Sequence, residues 1–392
     1  MAEQRIPVAR PWMGEAEATA AKRVILSGWV TQGPEVAAFE EEFAGLVGSP
    51  FGCATSSCTA ALHLALRAVG VEPNDEVIVP SYSFIATANA IRHCGAIPVF
   101  VDIESSSPNI DPDLVEQSIG PKTKAILCVH QMGMPCDVHR LAKIASKHGL
   151  PLIEDAACAI GSETRNPSGQ FEYIGRPHGD IACFSFHPRK ILTTGEGGMI
   201  TTRDDALDRR VRRERQHGVD VPDLVRHDAA AVIDDAHLSV GYNYRMTDVQ
   251  AAIGRVQLTR LPEILERKRA LAARYGELLK DLPVTLPQVP AGARPNWQSF
   301  WIELPPDCDR HGLMQAMLDD GVATRRGVHC AHREPAYAIE PWRMGAGGLA
   351  RSERAQDCAL VLPLFHEMTE SDQDRVASVL DHALAAAGKG AR

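Results

Sequence analysis

Between residues 76 and 201 the chain repeats one pattern: a short apolar run of strand length, then a helix-spaced segment, then another apolar run. The runs are Glu76-Val-Ile-Val79, Pro98-Val-Phe-Val101, Ala125-Ile-Leu-Cys-Val129, Leu150 to Ile153, Ile181-Ala-Cys-Phe-Ser185 and Gly198-Met-Ile-Thr201. Continuously apolar strands separated by helices indicate a parallel sheet covered on both faces. Val36, Phe39, Phe43 and Leu46 lie at helical spacing within 35–47. Residues 59–69 are apolar nearly all round and predict a buried helix. Helices are also expected at 85–93 and at 138–148, the latter closed by Gly149 as a C-cap. The expected fold class is α/β: a large domain with a mainly parallel sheet covered by helices.

The pattern thins after Met246. Thr247 or Asp248 can cap a helix running to about Lys280, with a kink at Pro262. A proline-rich stretch over 283–295 follows. Strands at 299–304 and 322–327 and helices at 311–320 and 371–387 then suit a smaller α+β domain. The expected division is a large domain, 1–250, with the N-terminal segment, and a small C-terminal domain, 251–392, joined by the long helix. Composition excludes several classes. Lys plus Arg number 41 against 50 Asp plus Glu, a net charge of −9. Nucleic acid or an anionic membrane has little electrostatic support as a partner. The one basic run, Arg209-Arg210-Val211-Arg212-Arg213, is short. Ten cysteines form no C-x-x-C pair and sit mostly in apolar contexts. They read as reduced, mostly buried thiols of a cytoplasmic protein. The N-terminus has no hydrophobic signal region, and no apolar run approaches the ~20 residues that cross a bilayer.

Three stretches carry chemistry. Leu152-Ile-Glu-Asp-Ala-Ala-Cys158 ends an apolar strand in two acids, Glu154 and Asp155. Ligands of a parallel α/β sheet bind outside the carboxyl ends of its strands, where a carboxylate can hold a protonated ring nitrogen or a metal. An aspartate before Ala-Ala also suits a helix N-cap. Phe184 to Gly198 runs from a strand through Ser185, His187 and Lys190 to a glycine-rich turn. A lysine just beyond a strand end, in mostly uncharged surroundings, is expected to have a lowered pKa and to act as an amine nucleophile. Ala54-Thr-Ser-Ser-Cys-Thr59 places hydroxyls and free backbone N–H groups before a buried helix, which builds an anion site. No dinucleotide fingerprint or P-loop occurs. An anion site, a carboxylate and a lysine 35 positions later are what pyridoxal phosphate needs: a phosphate cup, a partner for the pyridine nitrogen, and an amine for the aldehyde.

The order of these blocks resembles the DegT/DnrJ/EryC1/StrS sugar aminotransferases of fold type I. The resemblance rests on Gly28-Trp-Val-Thr-Gln-Gly-Pro-Glu-Val36, Ser57-Cys-Thr-Ala-Ala-Leu-His63, Val79-Pro-Ser-Tyr-Ser-Phe-Ile-Ala-Thr87, Glu154-Asp-Ala-Ala157, Phe184 to Gly198 and Gly241-Tyr-Asn-Tyr-Arg-Met-Thr-Asp248. It implies that Lys190 is the Schiff-base lysine and proton carrier, and that Asp155 pairs with the pyridine nitrogen. It implies that Phe84 stacks on the cofactor and that Cys58, through its N–H, with Thr59 and Ser185 holds the phosphate. Asn243 would reach the phosphate of a neighbouring subunit, in a homodimer with shared sites. His187 would orient the lysine or touch substrate.

Two departures stand out. Cys158 replaces the usual His or Gln that bonds the cofactor's ring hydroxyl, and a thiol is a weaker donor. Cys58 replaces a small Gly or Ala of the phosphate turn, which leaves a backbone contact intact. The stretch Arg325-Arg-Gly-Val-His329-Cys-Ala-His332 has ligand types but not a usual metal spacing, so no metal is expected. In the family this region lies near the active-site mouth. Arg245, Arg325, Arg326 and His329 are therefore candidate contacts for substrate, the arginines for its diphosphate. The implied activity is ping-pong amine transfer from glutamate to a keto-sugar, most often nucleotide-linked. A cyclitol ketone is the nearest alternative and a non-catalytic cofactor-binding regulator a remote one. The sugar dehydratases of the family carry His where this chain has Lys190.

Overall fold

A computed structural model describes residues 5–221, 226, 229–230 and 232–387. The chain opens with α1 (Glu15–Ser27) and α2 (Pro34–Val47). It then alternates β1 (Phe51–Thr55), α3 (Cys58–Ala68), β2 (Glu76–Pro80), α4 (Ile85–His93), β3 (Ile97–Val101), α5 (Pro112–Ser118), β4 (Thr123–Val129), α6 (Val138–His148) and β5 (Leu152–Asp155). A small excursion, β6 (Glu163–Arg165) and β7 (Phe171–Tyr173), precedes β8 (Ile181–Ser185), β9 (Gly198–Thr202) and α7 (Asp205–Arg215).

The large sheet has the order β1-β9-β8-β5-β4-β2-β3-β13, where β13 (Arg343–Met344) adds a parallel edge strand from far along the chain. Only β9 runs against its neighbours, so the expectation of a mainly parallel sheet holds. Successive strand residues face opposite sides. Val77, Val79, Ile153 and Cys183 pack with α3 and α4, whereas Ile78, Ile126 and Leu152 pack with α6. A further layer packs Phe39 and Phe43 of α2 on Phe184 and Phe186. Gly149 ends α6 at φ 64°, the left-handed cap its position predicts.

Two local expectations need correction, and one strand was missed. Strand β1 escapes the sequence pattern because Gly52 and small neighbours dilute its apolar signal. A Cβ at Gly52 would meet the Glu40 carbonyl oxygen at 2.8 Å, so close packing on α2 demands the glycine. The long helix does not merely kink. It breaks at Arg260 into two helices, Asp248–Thr259 and Leu261–Leu279, with Pro262 in the first turn of the second. Thr247 caps the first of these, while the Asp248 carboxylate reaches back to the N–H groups of Gly33 (2.8 Å), Glu35 (3.2 Å) and Val36 (3.0 Å) at the start of α2. The strand expected over 322–327 shrinks to β12 (Arg325–Arg326), because Val322 pairs with Ile6 instead.

After the proline-rich linker, which contributes β10 (Ala293–Arg294) to the excursion, come β11 (Phe300–Glu303) and β14 (Ala359–Leu362). They form a second sheet, β11-β14-β12. Helices Leu261–Leu279, Arg310–Asp319 and Glu370–Ala387 bury it around Tyr275, Phe300 and Leu360. Three arginines of α7 are tied down. Arg212 and Arg215 hold the buried Glu40 at 2.6 and 2.5 Å, and Arg210 holds Glu214 at 2.9 Å. No described helix is long and apolar enough to cross a membrane.

Candidate active site

The register of the large sheet draws the turn before α3 and the lysine segment to one edge. Gly198, the first residue of β9, lies opposite Thr55 at the end of β1 on one side and Ser185 at the end of β8 on the other. Past Thr55, the Ser57 hydroxyl takes the ordinary cap role, accepting the Ala60 N–H at 3.1 Å. The Thr55 hydroxyl donates to the Ser57 carbonyl at 2.9 Å. The N–H groups of Cys58 and Thr59, in the first turn of α3, have no acceptor among the described residues. A helix N-terminus with free N–H groups is an anion site. The glycine-rich turn serves it: a Cβ at Gly198 would lie 2.6 Å from the Ser57 carbonyl and 2.7 Å from the Cys58 nitrogen.

The twin acids of β5 separate by the strand's alternation. Glu154 faces α6, where its Oε2 lies 3.0 Å from His130 Nε2 and its Oε1 accepts the N–H groups of His178 and Gly179 at 2.9 and 2.8 Å. Asp155 faces the other side and is buried. Its Oδ2 accepts the Thr87 hydroxyl at 2.8 Å and its Oδ1 the Ala157 N–H at 3.1 Å. Thr87 Oγ1 lies 2.8 Å from Ser83 Oγ. Burial, the largest effect, pushes the Asp155 carboxyl above its ordinary range, against the pull of Thr87, the Ala157 N–H and Lys190. Residues 156–162 turn rather than form a helix, so Asp155 caps none. The Thr87 bond brings the start of α4 to Asp155. Phe84, three residues earlier, leaves 65% of its surface exposed. So large an aromatic beside a buried acid has the makeup of a stacking surface.

Lys190 lies in the turn after β8. Its Nζ approaches Cys158 Sγ at 3.0 Å, so one of the two departures noted in the sequence is the residue that touches the lysine. The expected lowered pKa is not found. Burial does pull the amine down, but the nearby Cys158, Cys58 and Asp155 outweigh it, and the amine titrates above its ordinary value. His187 shapes this turn: its carbonyl accepts the Lys190 N–H at 2.8 Å, and its ring Nδ1 accepts the Arg189 N–H at 3.2 Å. Two residues between β10 and β11, Asn296 and Gln298, escaped the sequence reading. Asn296 donates to the carbonyls of Cys158 and Ile160, both at 2.8 Å, and Gln298 donates to that of Arg189. Neither lies in a motif, and both are more than 100 positions from what they hold; no sequence signal marks them.

The remaining candidates lie around this edge. Tyr244 gives its carbonyl to the Ser56 N–H at 2.7 Å, so the segment carrying Asn243 and Arg245 runs along the turn before α3 in its own chain. Asn243 is exposed and Arg245 half-buried. The His329 carbonyl accepts the Ser83 N–H at 3.1 Å, next to Phe84. His329 Nδ1 lies 2.6 Å from Arg326 and 2.7 Å from Glu334. Arg325 and Arg326 are both exposed. His332 is engaged by Ser81 at 2.6 Å and Glu353 at 3.0 Å. Together, free N–H groups, a glycine a Cβ would displace, a buried carboxylate, an exposed aromatic ring and a lysine fit pyridoxal phosphate.

The sequence profile of the DegT/DnrJ/EryC1/StrS aminotransferase family matches residues 11–381. Among solved structures, the aminotransferase TlmJ from Streptoalloteichus hindustanus is 35% identical, with a TM-score of 0.87, over 97% of this chain and 99% of that one. DesI, solved in the presence of its TDP-sugar product, is 33% identical, with a TM-score of 0.86, over 100% of this chain and 96% of that one. The PLP form of the sugar aminotransferase Spr1654 from Streptococcus pneumoniae is 25% identical. Its TM-score is 0.88, over 98% of this chain and 99% of that one.

Proposed function

This chain belongs to the DegT/DnrJ/EryC1/StrS aminotransferase family and is a pyridoxal-phosphate-dependent aminotransferase, and on that premise we propose that it aminates a nucleotide-linked keto-sugar with glutamate as donor. The observation that carries the substrate class is the likeness to DesI and its TDP-sugar product. The exposed Arg325 and Arg326 support it, Arg326 standing on His329, whose carbonyl holds the Ser83 N–H, since a diphosphate needs cationic partners.

Bound pyridoxal phosphate supplies an electron sink and carries the amine from donor to acceptor. Lys190 would hold the cofactor's aldehyde group through Nζ, and the same amine, when free, would take the proton from the donor's α-carbon and deliver one to the sugar carbon. Asp155, ionised, keeps the ring nitrogen protonated, and Thr87 holds the carboxylate's other oxygen in place. The N–H groups of Cys58 and Thr59, with the hydroxyls of Thr59 and Ser185, hold the phosphate. Phe84 covers one ring face. Asn243 serves the phosphate of a second copy, which makes the working unit a cytoplasmic homodimer with two shared sites.

The test loads the enzyme with pyridoxamine phosphate and mixes it with keto-sugars on different nucleotides. Loss of the pyridoxamine absorbance reports the acceptor. A nucleotide-linked sugar should react fastest. A cyclitol ketone that outpaces them all overturns the substrate class, and no reaction with any ketone or with glutamate points to a regulator.

A further inference from the structure

The contact between Lys190 and Cys158 is built from both sides. Asn296, fully buried, fixes the turn that carries the thiol through the carbonyls of Cys158 and Ile160. Gln298 fixes the residue before the amine through the Arg189 carbonyl. Between them Trp297 sits at φ 54°, a left-handed backbone that a bulky residue holds only where its surroundings impose it. One segment therefore sets Nζ and Sγ at 3.0 Å. Of the ten free cysteines, Cys158 and Cys308 are the two that are partly exposed rather than buried, so small oxidants can reach this thiol.

We propose that, in the cofactor-free enzyme, Cys158 and Lys190 form a reducible covalent N–S cross-link under peroxide, a modification that blocks cofactor loading. Hydrogen peroxide oxidises the thiol by two electrons. Its O–O bond breaks, one oxygen joins Sγ as sulfenic acid, and the other leaves as water. The charged Nζ first gives a proton to solvent, and its freed lone pair then attacks Sγ. The N–S bond forms, the S–O bond breaks, and the departing hydroxide leaves with the amine's proton as a second water. The pair has lost two hydrogens and the peroxide has become two waters. Two molecules of a thiol reductant reverse the step, giving back thiol and amine and leaving as a disulfide. An amine at this distance intercepts the sulfenic acid before a second peroxide drives it to irreversible sulfinic acid.

The cross-link stands on the Cys158–Lys190 geometry. Its effect on loading rests on the reading above of Lys190 as the cofactor's lysine. The test treats cofactor-stripped and cofactor-loaded full-length protein with hydrogen peroxide, digests both without reductant, and reads peptide masses. The stripped protein should yield a Cys158–Lys190 peptide pair two hydrogens lighter than its parts, dissolved by dithiothreitol and absent from Cys158→Ser. Cofactor uptake, read by visible absorbance, should be lost with the cross-link and return with the reductant. Sulfinic acid at Cys158 with Lys190 free, or a cross-link to another residue, would overturn the proposal. Equal cross-linking in the loaded protein would leave the cross-link standing and sink the assignment of Lys190 to the cofactor.

Discussion

Asp155→Asn removes a charge from the site and leaves its shape. The amide keeps an oxygen for the Ala157 N–H and turns its Nδ2 toward Thr87 Oγ1, whose own proton then goes to Ser83 Oγ, 2.8 Å away. What is lost is the partner of the pyridinium. A cation within about 4 Å of a carboxylate gains about 4 kcal/mol at an effective dielectric of about 20. At about 1.4 kcal/mol per tenfold, kcat should fall roughly 10³-fold. Stability moves the other way. Burial holds the folded carboxyl above its ordinary pKa, so the unfolded chain ionises first as pH rises. The cofactor-free native state then loses stability from the ordinary carboxylate range up through the raised folded value. The cofactor-free variant should therefore melt at or above the wild type at neutral pH. Single-turnover absorbance with glutamate gives the rate and calorimetry the melting temperature. A rate loss under tenfold, or a loss accompanied by a collapsed melting temperature, would refute the argument.

Three further perturbations test other parts of the account. Cys158→Gln and Cys158→His should keep the fold and shift the pH titration of the loaded enzyme's visible band; if the band moves in neither, the side chain at 158 does not reach the ring. Lys268 is buried with its Nζ on the carbonyls of Leu364 (2.8 Å) and Gln298 (3.4 Å), and burial alone lowers its pKa to about 7. Between about 7 and the unfolded value of about 10.4 the unfolded chain binds the extra proton, so wild-type stability should rise with pH relative to Lys268→Met; parallel melting temperatures at pH ~7 and ~10 would contradict that. Mixing Lys190→Ala with Asn243→Ala subunits should restore activity to about a quarter of wild type, since about half of randomly paired dimers hold one intact shared site. No recovery despite proven subunit exchange removes Asn243 from the partner's phosphate.

The sequence made the sheet and the cofactor cup legible because both are written in local signals. Apolar runs marked β2, β3, β4, β5 and β8, a strand end marked Asp155, and small hydroxyl residues marked the turn before α3. What it hid depends on contacts distant in sequence. Gly52 and Gly198 look like breakers until the Glu40 carbonyl and the Ser57–Cys58 backbone are seen against them. Glu154 and Asp155 are adjacent acids that only the strand's facing separates into a structural and a functional group. β13 is two residues long and earns its place by pairing with β3, more than 200 positions earlier. Asn296 and Gln298 act through side-chain bonds across the fold, and a lone amide between two short strands carries no such message. The lysine's raised pKa likewise follows from Cys158, 32 residues away in sequence and 3.0 Å away in space.

The central claim is that Lys190 is the residue that holds the cofactor. Borohydride reduction of the loaded protein fixes the cofactor to its lysine irreversibly, and peptide mass spectrometry then locates it. The account predicts the reduced adduct on Lys190 alone, and none in Lys190→Ala under the same treatment. An adduct on any other lysine, with Lys190 recovered unmodified, would contradict it.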